Sequence, residues 1–112
     1  MEAFVDEWLK AWSDKDVIKL LSFYADDFLY LDPGTRGSIT NKAHFEKYLT
    51  KLFSAFPAWK WERVELFESS LKWRATFSFK EKPITLDGLD ILIIEEDKIV
   101  RNEVYFDRSI IS

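Results

Sequence analysis

The feature that most constrains this chain is a change of hydrophobic period near its midpoint. As far as Phe56 the apolar residues recur at helical spacing; beyond Trp59 they alternate with polar residues, as on a half-buried strand. Phe4, Val5, Trp8, Leu9 and Trp12 mark one face of a first helix, with Glu2, Asp6, Glu7 and Lys10 between them. Ser13-Asp14-Lys15-Asp16 supplies a turn and a cap. Val17, Leu20, Leu21 and Tyr24 continue as a second helix, which leaves Asp26-Asp27 at a helix C-terminus, where acids are disfavoured. Phe28 to Leu31 is a short strand stopped by Asp32-Pro33-Gly34. A third helix, capped by Thr40 or Asn41, carries Phe45, Tyr48, Leu49, Leu52, Phe53 and Phe56 and ends at Pro57.

In the second half Trp73, Ala75, Phe77 and Phe79 alternate with Lys72, Arg74, Thr76, Ser78 and Lys80, a strand with one wet face. Trp59 to Glu68 is a strand in which Trp59 and Trp61 are out of phase with Val64 and Leu66; a bulge near Glu62-Arg63 reconciles them. Ser69-Ser70 turns the chain into the next strand. Thr85 to Ile94 is apolar on both faces and is expected to be central, and Glu95-Glu96-Asp97-Lys98 leads into a last strand, Ile99 to Asp107. Three helices and then four long antiparallel strands predict an α+β fold: one unit over residues 1–112, its helices against one face of a curved, mostly antiparallel sheet.

Composition narrows the function. Ten Phe, five Trp and four Tyr are a heavy load for 112 residues, since each ring offers roughly 150–250 Å² to bury. Such an excess suits a cavity wall, a subunit interface, or both. A net charge of -4 without a Lys/Arg block argues against a nucleic-acid groove. No apolar run approaches a membrane span, and the N-terminus is acidic and amphipathic, so no membrane partner is expected and a cytoplasmic protein is the reading. There is no cysteine, and the single histidine, His44, has no HxxxH or HxxE partner, so no metal is expected. A homodimer is expected because the last two strands carry apolar residues on both faces.

Two acids interrupt the apolar pattern. Asp32 sits where an apolar strand meets a loop, and Asp90 interrupts Leu89, Ile91, Leu92, Ile93 and Ile94. A charge on such a face must be paired, for which Arg74 and Arg101 are candidates, or be held protonated by burial.

The segment Tyr24-Ala25-Asp26-Asp27, four residues, then Asp32-Pro33-Gly34 resembles the ADD-x4-DP stretch of ketosteroid isomerases, members of the NTF2-like superfamily together with the SnoaL-like polyketide cyclases. Gly88-Leu89-Asp90 followed by an acidic turn and Lys98-Ile99-Val100 resembles a second stretch of that family. The resemblance implies an NTF2-like cone of three N-terminal helices on a curved sheet. It implies that Asp32 is a general base, that Asp90 is a protonated acid beside a developing oxyanion, and that no cofactor is needed. The family's oxyanion tyrosine falls on Trp8, with Tyr24, Tyr30 and Tyr105 as other sources of a phenol. Trp8, Trp12, Phe28, Tyr30, Trp59, Trp73, Phe77 and Tyr105 are the expected ligand wall, suited to a small, flat, apolar or aromatic partner. Three readings follow: an isomerase or cyclase moving a proton on an apolar carbonyl compound, a binding module without catalysis, and an epoxide-hydrolase-like enzyme using Asp90, Arg101 and Asp107.

Overall fold

The computed structural model describes residues 1–56, 58–107 and 109. Helix α1 spans Glu2–Asp14 and α2 spans Val17–Leu21; strand β1 (Tyr24–Leu31) follows, then α3 (Lys42–Ala55). Strands β2 (Trp59–Phe67), β3 (Ser70–Phe79), β4 (Lys82–Glu95) and β5 (Lys98–Tyr105) complete the fold. The sheet order is β1-β5-β4-β3-β2, with β1 parallel to β5 and all other neighbours antiparallel. The doubly apolar strand thus lies inside the sheet, as its pattern requires. No described helix is long and apolar enough to cross a membrane.

Helix ends follow from local chemistry. Asp16 accepts from the Lys19 N–H and Asn41 from the His44 N–H, so each starts its helix as an N-cap. Lys15 closes α1 in the left-handed conformation (φ 56°). Its ammonium donates to the carbonyls of Phe53, at 3.1 Å, and Phe56 at the C-terminal end of α3, which stops at Ala55. Pro57, expected to end this helix, lies outside the described residues.

Three expectations are corrected. Tyr24 does not extend α2, which ends at Leu21; it opens β1, with Tyr24, Phe28 and Tyr30 buried along that strand. Asp26 and Asp27 consequently leave the helix terminus and stand exposed where the β1–β5 register shifts, with Asp26 3.5 Å from Lys42. The bulge expected near Glu62-Arg63 is present, between Arg63 and Glu65, leaving Val64 exposed while Leu66 pairs with Leu71. The following turn is Glu68-Ser69, with Glu68 at φ 52°.

The helices cover one face of the sheet. Val5, Trp8, Leu9 and Trp12 of α1 and Phe45, Leu49 and Phe53 of α3 are buried, as are Leu71, Trp73, Ala75 and Phe77 of β3. The corner where α1 meets β2 is tied by Trp59 Nε1 donating to the Trp12 carbonyl (2.8 Å) and the Trp61 N–H donating to Ser13 Oγ (3.0 Å). On the other face the arginines find acids of their own: Arg74 bonds Asp87 at 2.8 Å and Arg101 bonds Glu103 at 2.7 Å. Neither reaches Asp90.

Candidate functional site

Between the helices and the sheet lies a cavity of about 370 Å³. Its wall is largely aromatic and takes Trp8 and Trp12 from α1, Tyr48 and Leu52 from α3, and Trp59, Trp61, Trp73 and Phe77 from the sheet. Asp32 and Asp90 both line it, as does Tyr30. Lys51 is the one cationic side chain among the described lining residues. A chain that places so many rings around two acids has built a pocket of low polarity with few polar groups, the usual character of a small-molecule site.

Asp32 follows β1 and is held by its own loop. Its Oδ1 accepts from the backbone N–H groups of Gly34 (2.6 Å) and Thr35 (3.0 Å). Its Oδ2 accepts from the hydroxyls of Tyr30 (2.7 Å) and Tyr48 (2.6 Å). The Asp-Pro-Gly turn places the acid, because an Asp side chain naturally folds onto N–H groups two or three residues ahead. Gly34 leaves room there: a Cβ would lie 3.2 Å from Asp32 Oδ1 and 3.3 Å from the Tyr48 hydroxyl, so either would have to give by a few tenths of an ångström. Burial, and next the charge of Asp32, push the Tyr30 phenol well above its ordinary range, so it stays a proton donor.

Asp90 is held differently. It is buried in β4, and Oδ1 accepts from Trp73 Nε1 (2.7 Å) while Oδ2 accepts from Asn102 Nδ2 (2.9 Å). Burial raises its pKa to about 7; the two donors oppose that shift and the charge of Asp32 adds to it. Trp73 can reach Asp90 only because Gly88, its cross-strand partner, has no side chain. A Cβ at Gly88 would sit 2.2 Å from the Trp73 ring.

The site gathers Trp8, Trp12, Tyr30, Asp32, Trp59, Trp73, Phe77 and Asp90 in one wall. It does not gather Phe28 or Tyr105. Phe28 is buried against Tyr24 and Phe45, away from the cavity. Tyr105 is 47% exposed, and its hydroxyl donates to Glu103 at 3.0 Å. The Asp90-Arg101-Asp107 arrangement is excluded, since Arg101 is bonded to Glu103 and Asp107 accepts from Ser109. The Trp8 N–H does not stand in for a tyrosine hydroxyl in the cavity; it donates to Tyr24, 3.2 Å away. Two functional neighbours escaped the sequence reading. Tyr48 was hidden in the α3 stripe, and Asn102, fully buried, was hidden by a register shift in β5. The polar residue inside the Ile99–Val104 run was the available signal.

The family profile described as a SnoaL-like domain matches residues 5–102. The chain belongs to the SnoaL-like domain family. No curated protein sequence matches it significantly. Solved structures of the same fold include TerC co-crystallised with polyporic acid, 17% identical, covering 96% of this chain and 92% of that one at a TM-score of 0.84. They include an NTF2-like protein of unknown function from Burkholderia pseudomallei, 17% identical with 96% and 91% coverage and a TM-score of 0.85. A protein from Shewanella putrefaciens assigned as a SnoaL-like polyketide cyclase is 10% identical over 96% and 90% of the chains, with a TM-score of 0.80. At such identities the shared property is the NTF2-like fold. Function within it rests on the site of this SnoaL-like domain.

Proposed function

We propose that this SnoaL-like domain binds a flat, apolar carbonyl compound and moves a proton on it without a cofactor, as an isomerase or cyclase does. The observation that carries the reading is the pairing of two unlike carboxyls, Asp32 and Asp90, in one aromatic cavity. Pairs of titratable groups whose surroundings separate their roles mark acid–base sites. Neutral Asp90 donates a hydrogen bond to the ligand's carbonyl oxygen. Asp32 takes a proton from the α-carbon; the C–H electrons become the new C=C bond, and the carbonyl π electrons move to the oxygen facing Asp90. Of the two Asp32 oxygens, Oδ2 is the one that accepts this proton. Its partners are tyrosine hydroxyls, which rotate, whereas the Gly34 and Thr35 N–H groups at Oδ1 are fixed. Tyr48, half-buried in the cavity wall, is the hydroxyl that turns aside. The indole N–H groups of Trp12 and Trp61 are buried in the wall without an acceptor among the described residues, and an oxygen-bearing ligand supplies one.

A second reading, binding without catalysis, is favoured by one observation: four hydrogen bonds already engage Asp32. One experiment separates the two. The protein is mixed with 1-tetralone in D₂O and the α-proton signal followed by NMR. Protein-dependent exchange that saturates with ketone and vanishes in Asp32→Asn supports proton transfer. Binding without exchange supports the binding module.

The same reading includes a homodimer formed through the outward face of β4 and β5, where Leu89, Ile93 and Tyr105 are exposed. Sedimentation as a monomer at micromolar concentration overturns it.

A further inference from the structure

The acid Asp90 is the end of a chain of buried hydrogen bonds that all run in one direction. Trp8 Nε1 on α1 donates to the Tyr24 hydroxyl oxygen at 3.2 Å. The Tyr24 O–H donates to Asn102 Oδ1 at 2.7 Å, and Asn102 Nδ2 donates to Asp90 Oδ2 at 2.9 Å. Trp8, Tyr24, Asn102 and Asp90 are each at most 2% exposed.

The direction follows from the donor and acceptor chemistry. An indole N–H only donates, so Tyr24 receives a proton from Trp8 and has one of its own to give. Giving it to Asn102 Oδ1 turns the amide so that its NH₂ faces Asp90. With the amide reversed, the Tyr24 hydroxyl proton would lose the acceptor it has here and be left buried and unpaired, a costly arrangement. The other partner of Asp90, Trp73, is also an indole and can only donate. Both protein neighbours of Asp90 are therefore donors, one by its chemistry and one by its orientation. A proton carried by Asp90 has no acceptor among them, and the remaining side of the carboxyl is the cavity that Asp90 lines.

We propose that Asn102, locked by the Tyr24 hydroxyl, is a positioning residue that forces the Asp90 proton to face the cavity and so selects a ligand with an acceptor oxygen at that point. The proposal rests on the reading of the cavity given above and adds what sets the acid's direction. Two other ionisable groups are coupled to this one: Asp32, which also lines the cavity and whose charge raises it, and Tyr24 in the relay itself, whose phenol the charge of Asp90 pushes up.

The test uses the full chain and titrates Asp90 by the ¹³C shift of its carboxyl carbon in the wild type, Asn102→Leu, Tyr24→Phe and Trp8→Phe. Asn102→Leu removes a donor from the carboxylate, and Tyr24→Phe removes the donor that fixes the amide oxygen, leaving the NH₂ held otherwise only by a 3.4 Å bond to the Ile91 carbonyl, so that the amide can turn and accept the acid's proton. Both are expected to raise the midpoint by about one pH unit, the size of a lost hydrogen bond to a charged group. Trp8→Phe leaves the Tyr24 O–H on Asn102 and is expected to move it little. A merely structural role gives a different order, in which Trp8→Phe, trimming the largest of these buried side chains, has the largest effect. Tyr24→Phe moving the midpoint no more than Trp8→Phe overturns the proposal. The unmodified protein gives a check that needs no variant: the Tyr24 hydroxyl proton should give a slowly exchanging signal on both sides of the Asp90 midpoint. Its loss below the midpoint means that the amide turns with protonation, and overturns the lock. Calorimetry at pH 6 with 1-tetralone and the hydrocarbon tetralin completes the test. The wild type should favour the ketone about tenfold, and Tyr24→Phe, which lies outside the cavity wall, should lose that preference, while an unchanged preference counts against the proposal. If neither probe binds the wild type, the ligand-binding reading falls and with it the selection of an acceptor oxygen, while the titration still decides the relay.

Discussion

Asp32 and Asp90 line the same cavity, yet they are built by opposite means. Asp32 stands on a loop, and three of its four donors lie within three residues of it in sequence. Asp90 stands in the middle of a sheet, and both its donors come from neighbouring strands, 17 and 12 residues away. The first acid receives four hydrogen bonds, two of them from fixed backbone groups; the second receives two and no backbone donor. Local turn chemistry holds the first acid, while burial in the sheet pushes the second toward its protonated form. Identical side chains thus take different parts according to which level of structure satisfies them.

The comparison can be broken most sharply at Asp32. Asp32→Asn should slow α-proton exchange of 1-tetralone by at least about 100-fold, the low end for a lost general base. Its NH₂ can accept from neither the tyrosine pair nor the backbone pair, so urea denaturation should also show a loss of ~1–3 kcal/mol. At Asp90 the comparison is sharpened by pH. Its folded pKa, about 7, lies above the unfolded value near 3.8, so the folded state binds the extra proton between them. Stability should fall as pH rises from 4 to 7 and level off above, by a total on the order of 4 kcal/mol. The depressed acids Asp6, Asp87, Asp107 and Glu103 act in the opposite sense, and only at the acid end of that range. Urea melts from pH 4.5 to 8 should show the decline in the wild type and a nearly flat profile in Asp90→Asn; a wild-type profile that rises over this range contradicts a neutral Asp90.

Smaller effects separate the supports of the two acids. Gly88→Ala drives a methyl into the Trp73 ring and should cost ~1–3 kcal/mol by overpacking, with the Asp90 titration moving upward as its indole donor is displaced. Asp32 should be unaffected, which two-site carboxyl NMR can show. Tyr48→Phe removes one of four donors from Asp32 and leaves Tyr30 on the same oxygen, so a loss of about 0.5–1.5 kcal/mol is expected in a denaturant melt. An equal response of both acids to Gly88→Ala would mean that their supports are not separate.

What the sequence made legible follows the same division. The α1 and α3 stripes and the β3 alternation were readable because a single burial pattern fixes each. Asp32 was readable from its Asp-Pro-Gly turn, and Asp90 because it breaks an apolar run. The start of β1 was not, since Tyr24 fits the α2 stripe as well as the strand, and only pairing with Ile99 decides between them. Tyr105 was misjudged for a physical reason. The β4–β5 register shifts between Ile93 and Ile94, which reverses the faces of β5 on the two sides of the irregularity. Phe28 was misjudged because periodicity tells which way a ring points but not whether a cavity lies there; here Phe45 fills the space.

The absent side chain at Gly88 has a consequence for how such domains diverge. Residue 88 must be bare for a tryptophan at 73 to lie across it, and the tryptophan must be there to bond the acid at 90. These three positions on two adjacent strands therefore depend on one another. In relatives that keep the acid, glycine and indole should be kept together; a relative with a bulky residue at the position of Gly88 should have lost the indole as well, and its acid should have changed with them. Sorting relatives by that triplet would separate those that retain the buried acid from those that have only the fold.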